Sequence, residues 1–158
     1  MADPDIKEWH FHTYWFWNNP EDQNRAWQFR EKIISQVKDK KFVVVCNGVT
    51  SEMLPGLNES NIPKFNTQPI GPHPCGSFET WVPYEHFSSA LSFFTLHRGS
   101  LSILFHPLTV HELEDHTSRS MWLGPSYRLN LDVLSPLLPS IPLQYPELGL
   151  GYSAKSIF

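Results

Sequence analysis

Apolar and polar side chains alternate from Glu8 to Phe16, so that Trp9, Phe11, Thr13 and Trp15 share one face of an extended segment and His10, His12, Tyr14 and Phe16 the other. That period of two predicts a strand. Asn18-Asn19-Pro20-Glu21-Asp22 then supplies a side-chain cap, a proline for the first helical position and two acids for the positive end of the dipole. The spacing of Ala26, Phe29, Ile33 and Val37 predicts one buried stripe on a helix ending near residues 37–39, with Lys38, Lys40 and Lys41 at its negative end. Phe42 to Cys46 is a short, largely β-branched run that fits a buried strand. Ser77 to Pro83 reads as the next long strand. Residues 83–98 read as a second helix burying Phe87, Ala90, Leu91 and Phe94 before Gly99 stops it, and Leu101 to His106 as a fourth strand.

Between Asn47 and Gly76, Pro55, Pro63, Pro69, Pro72 and Pro74 leave only residues 64–68 to extend, and a loop of that length inside a domain points to function. The order β-α-β-β-α-β over residues 8–106 predicts an α+β, ferredoxin-like sandwich, an antiparallel sheet with both helices on one face. Strands one and three are expected as a parallel central pair, strand four beside strand one, and strand two on the far edge. Pro125, Pro136, Pro139, Pro142 and Pro146 predict an extended wrapping tail over 125–158, so that residues 1–158 form a single domain whose core is 8–124.

Composition narrows the class. Hydrophobic residues make up 41% and charged residues 18% of 158, which excludes general disorder. A formal charge of -4 offers no clustered basic surface for nucleic acid or an anionic membrane. No apolar run approaches the roughly 18 residues of a membrane span. The acidic start Met1-Ala2-Asp3-Pro4-Asp5 differs from a secretory leader, so a cytoplasmic protein with Cys46 and Cys75 as free thiols is expected.

The eight histidines carry the candidate chemistry. His10 and His12, two apart on a strand, leave the same face, which the helices are expected to leave open. His73 sits in Gly71-Pro72-His73-Pro74, where flanking prolines restrict the backbone, and His106 closes the fourth strand before Pro107. Convergence of these segments at one end of the sheet predicts a metal or catalytic centre. In Glu112-Leu113-Glu114-Asp115-His116-Thr117, His116 stands beside an acid, as a proton-transfer group does. Glu79 is the carboxylate best placed to join the cluster, ahead of Glu8 and Asp115. His97 is expected to answer a helix dipole, and His86 and His111 to be exposed.

Trp9-His10-Phe11-His12, Gly71-Pro72-His73-Pro74, Arg98-Gly99 with Leu101 to Pro107, and Asp115-His116-Thr117 with Trp122-Leu123-Gly124 together resemble the DOPA 4,5-dioxygenase family over about residues 8–124. The resemblance implies a small, often dimeric enzyme that opens the ring of L-DOPA or a related catechol with O₂, and it matches His10, His12, His73, His106 and His116. Fe(II) with open positions suits such a reaction. His12, His73 and His106 are the expected metal core, with His10 either a fourth ligand or a base and His116 the first choice of base. Two alternatives stay open: a zinc-dependent or structural divalent-metal protein, and a non-enzymatic dimeric small-molecule-binding module.

Overall fold

A computed structural model of the protein describes residues 5–155; the first four residues and the last three of the expected tail lie outside it. Strand β1 (Glu8–Trp15) leads to helix α1 (Pro20–Lys38), whose cap is the one predicted: the Asn19 side chain accepts from the amides of Glu21 and Asp22, with Pro20 next in line. The helix buries Ala26, Phe29, Ile33 and Val37. Strand β2 is only Val45–Cys46, because Phe42 and Val44 sink into the core without joining the ladder. A second short strand, β3 (Phe65–Asn66), follows, then β4 (Gly76–Pro83). A 3₁₀ turn at Tyr84–His86 precedes helix α2 (Phe87–His97). Strand β5 (Ser102–Pro107), the single turn α3 (Glu112–Asp115) and a strand the sequence did not announce, β6 (Met121–Leu123), complete the regular structure.

The sheet runs β2-β4-β1-β5-β6, with β3 also on β4, and every described pair is antiparallel. This corrects the expected parallel pairing of the first and third long strands. Crossover helices make parallel the strands they join, β1 with β2 and β4 with β5, and each such pair here has another strand between its members. The intervening strand must then run against both. Gly76 consequently faces Trp15 at the far end of β1, where the indole lies against it and a Cβ would overlap the ring.

One side of the sheet packs on the helices through an aromatic core. Phe94 of α2 meets Phe11 and Phe29 edge-on, at centroid separations of 4.9 and 5.0 Å. The other side, expected to be open, is covered. The segment after β6 lies across it, tied by backbone bonds from Asn130 to Pro72 and from Leu138 to Val110, while Trp122, Tyr127 and Leu129 pack on Tyr14, Cys75 and Leu104. Farther along, the Gly151 amide donates to Glu85, the Tyr152 amide to Glu8, and the Tyr152 hydroxyl to the Leu108 carbonyl. Gly151 adopts φ +61, and its α-carbon comes close enough to the Glu8 carboxyl that a side chain would collide with it. Among the described residues, no helix is long and apolar enough to cross a membrane.

Candidate metal centre

Register places the imidazoles. His10 pairs with His106 across β1 and β5, and His12 pairs with Glu79 across β1 and β4, so all four side chains rise on the tail-covered side. His12 and His106 point their Nε2 atoms at each other, 3.0 Å apart. One ring nitrogen each of His10, His12 and His106 lies within 4.8 Å of the others, and all three residues are buried. They form the floor of a cavity of about 210 Å³, with His73, His116 and Glu79 on its walls.

His73 reaches this cavity by an unexpected route. Because β4 is antiparallel to β1, the segment before it starts beside Trp15, at the end of the sheet away from His10. The turn closed by the His73 amide on the Ile70 carbonyl folds this segment back over the sheet, setting the His73 ring 4.4 Å from that of His12. Tyr14 then holds it, hydroxyl to Nδ1 at 2.6 Å. Since burial keeps the Tyr14 hydroxyl protonated and no other acceptor reaches it among the described residues, that hydroxyl donates. His73 lines the same cavity, beside the three-histidine group.

Hydrogen bonds assign the remaining rings. His106 donates Nδ1–H to the Pro107 carbonyl at 2.7 Å and keeps its Nε2 lone pair for the centre. His10 sets Nδ1 against the Glu79 carboxylate at 2.6 Å and Nε2 against the Gln144 side-chain oxygen at 3.0 Å. A carboxylate behind an imidazole is the support that metal-bound histidines commonly have. Glu79, the carboxylate expected to join the cluster, sets one oxygen against His10. His12 Nδ1 has no partner among the described residues, so His106 is that ring's one hydrogen-bonding neighbour. The Nε2 atoms of His12 and His106 face only each other, and with a His10 nitrogen they make a donor set that a divalent cation fits once the His10 ring gives up its Gln144 bond.

His116 lies over His106 at 3.9 Å between centroids and donates Nδ1–H to the Glu112 carbonyl at 2.8 Å. Its Nε2 is left with a lone pair. The expected partnership with Asp115 does not form, because that carboxylate accepts from the Thr109 amide and hydroxyl and from Arg119. Side chains adjacent in a helical turn point about 100° apart, and Asp115 points the other way. The His97 ring packs tilted against Phe93 at 4.4 Å between centroids, and His86 and His111, expected to be exposed, are half-buried outside the cavity.

Electrostatics separates one histidine from four. Burial pushes His12 and His106 well below the ordinary imidazole range, His73 down to about 4, and His116 down as well, so all four stay neutral. Burial alone would lower His10 too, but the charge and hydrogen bond of Glu79, with Gln144, carry it above its ordinary value. Glu79 is in turn held below the usual carboxylate range, its burial outweighed by His10.

A model of the Dopa 4,5-dioxygenase family matches residues 9–133. The DOPA 4,5-dioxygenase of Amanita muscaria is 44% identical over 156 residues, an alignment covering 99% of this chain and 62% of that protein. An uncharacterized 21.2 kDa protein of Botryotinia fuckeliana is 38% identical over 88 residues, 50% of this chain and 48% of its own length. The chain thus spans about three fifths and about half of these two relatives. Among solved structures, a Nostoc punctiforme protein provisionally named a dioxygenase superposes with a TM-score of 0.62 at 25% identity, covering 82% of this chain and 95% of its own.

Proposed function

The chain belongs to the Dopa 4,5-dioxygenase family, and on that premise we propose that it is an extradiol ring-cleaving dioxygenase on a ferredoxin-like frame, acting on L-DOPA or a related catechol with O₂ and a histidine-held Fe(II). The observation that carries the reading is that one ring nitrogen each of the buried His10, His12 and His106 lies within 4.8 Å of the others in the lining of one cavity. These three would hold the iron, His10 exchanging its Gln144 bond for the metal while Glu79 stays behind it. An Fe(II) ion with open positions supplies a centre where a chelating catechol and O₂ can exchange electrons.

The protein's own groups do the rest. His116, neutral and with a free Nε2 on the cavity wall, takes a phenolic proton as the catechol binds, and returns one once the ring has opened. His73 is assigned to the wall, where Tyr14 leaves its Nε2–H to hydrogen-bond a substrate oxygen. The tail covers the cavity with Leu134, Leu138 and Pro142 and so limits water around the reacting ring.

Aerobic incubation of Fe(II)-loaded protein with L-DOPA tests the proposal. A yellow, ring-opened product is expected, with none from zinc-loaded protein. Equal turnover with zinc, or no product with iron on L-DOPA or simple catechols, would refute it.

A further inference from the structure

A second, wider groove of about 580 Å³ adjoins the histidine cavity, and His116 lines both. Trp122 and Tyr127 form one wall, their rings 6.0 Å apart and nearly perpendicular. Arg128 and Asp132 line the same groove. Of the five arginines, Arg25, Arg30, Arg98 and Arg119 are each bonded to a side chain or a carbonyl. Among the described residues Arg128 has no such partner, nor does the Asp132 carboxylate, and the two form no ion pair with each other. Both residues are exposed, so each charge is free to meet a ligand group of the opposite sign.

We infer that this groove binds the α-amino-acid end of the substrate, Arg128 taking the carboxylate and Asp132 the ammonium group, while the aromatic ring passes His116 into the histidine cavity. The inference rests on the catechol reading above and makes it specific, selecting amino-acid catechols over simple ones. Arg presents its donors as a planar fork that matches a carboxylate. Leu129 and Leu131 in the same lining, beside the polar Thr117 and Asn130, offer apolar surface to a methylene linker between ring and charged end.

Anaerobic calorimetry separates this inference from the reading beneath it, because it measures binding without turnover. Affinities of wild-type protein for L-DOPA, dopamine, 3-(3,4-dihydroxyphenyl)propionate and 4-methylcatechol are compared as ratios to the last, which bears no charged end. Arg128→Gln is expected to lower the ratio about tenfold for the two carboxylate-bearing compounds, and Asp132→Asn for the two ammonium-bearing ones. Ratios left unmoved by both substitutions, or lowered equally for every charged compound, would overturn the inference. Failure of ring cleavage with all four compounds, with the ratios behaving as expected, would overturn the catalytic reading and leave the amino-acid site standing.

Discussion

The two sides of the sheet use the same strands for opposite purposes. Toward the helices, Phe11, Phe78, Phe105 and Phe94 close into a core without a described cavity among them. Toward the tail, His10, His12 and His106 occupy equivalent positions on the same strands, and the cover laid over them encloses about 210 Å³. The first side gains free energy from burial; the second gives some of it up, since the His12 and His106 imidazoles, which burial forces to stay neutral, stabilise nothing by hydration or charge. Alternation along a strand thus divides stability from chemistry, and substitutions on the two sides of the sheet should have unlike consequences.

The largest contrast is expected between His106→Ala and Phe94→Ala. Removing His106 should abolish turnover and drop bound iron by more than about tenfold, since the loss of even a supporting group costs 10–100-fold. Phe94→Ala should instead lower unfolding free energy by about 3–5 kcal/mol in denaturant titrations, with iron per folded chain retained. Stability losses of equal size in both variants would break the division. His116→Ala sharpens it: ring cleavage should fall about 10²–10⁴-fold, the usual worth of a positioned proton-transfer group, with metal retained by elemental analysis.

An acid-side effect follows from the tail-covered side alone. The His73 imidazole has an ordinary pKa of 6.5 and a folded value of about 4, so over that interval the unfolded chain takes up a proton that the folded chain refuses. Stability should therefore fall as pH drops from 6.5 toward about 4, with His12, His106 and His116 adding to the loss. His10, shifted upward, opposes this: its stabilisation is complete below 6.5 and disappears as pH rises through its higher folded value. Glu8, whose carboxyl burial pushes up to about 7, opposes it as well; four shifts outweigh two, and urea titrations of metal-free protein at pH 7 and pH 5 should show the lower stability at pH 5. The smallest effect is expected of Tyr152→Phe, which removes one hydrogen bond that pins the tail to the Leu108 carbonyl, about 1 kcal/mol.

Local signals were legible in the sequence where the physics is local. The alternation of Glu8 to Phe16 revealed β1, its buried aromatic face and both of its histidines, and Asn19-Pro20 marked the start of α1 to the residue. What the sequence did not disclose is set by distant partners. Strand direction depends on which strands intervene, and Gln144 reaches His10 from 134 positions away. Three residues of β6 carry too little pattern to be read, and the tail docks largely through backbone amides, which every residue owns. The convergence of His73 on His12 was anticipated for a reason the antiparallel sheet removes; a turn over the sheet face produces it instead. Asp115 beside His116 illustrates the converse, adjacency in the chain without contact in the fold.

The central claim, that the His10, His12 and His106 group is the metal centre of a catechol-opening enzyme, is tested most directly by adding Fe(II) stepwise to metal-free protein under nitrogen, then admitting air and L-DOPA and recording product at each step. The account predicts ring-opened product that rises in proportion to iron and levels off at one iron per chain, with no rise in His12→Ala. Product independent of added iron, or an unchanged titration in His12→Ala, would contradict it.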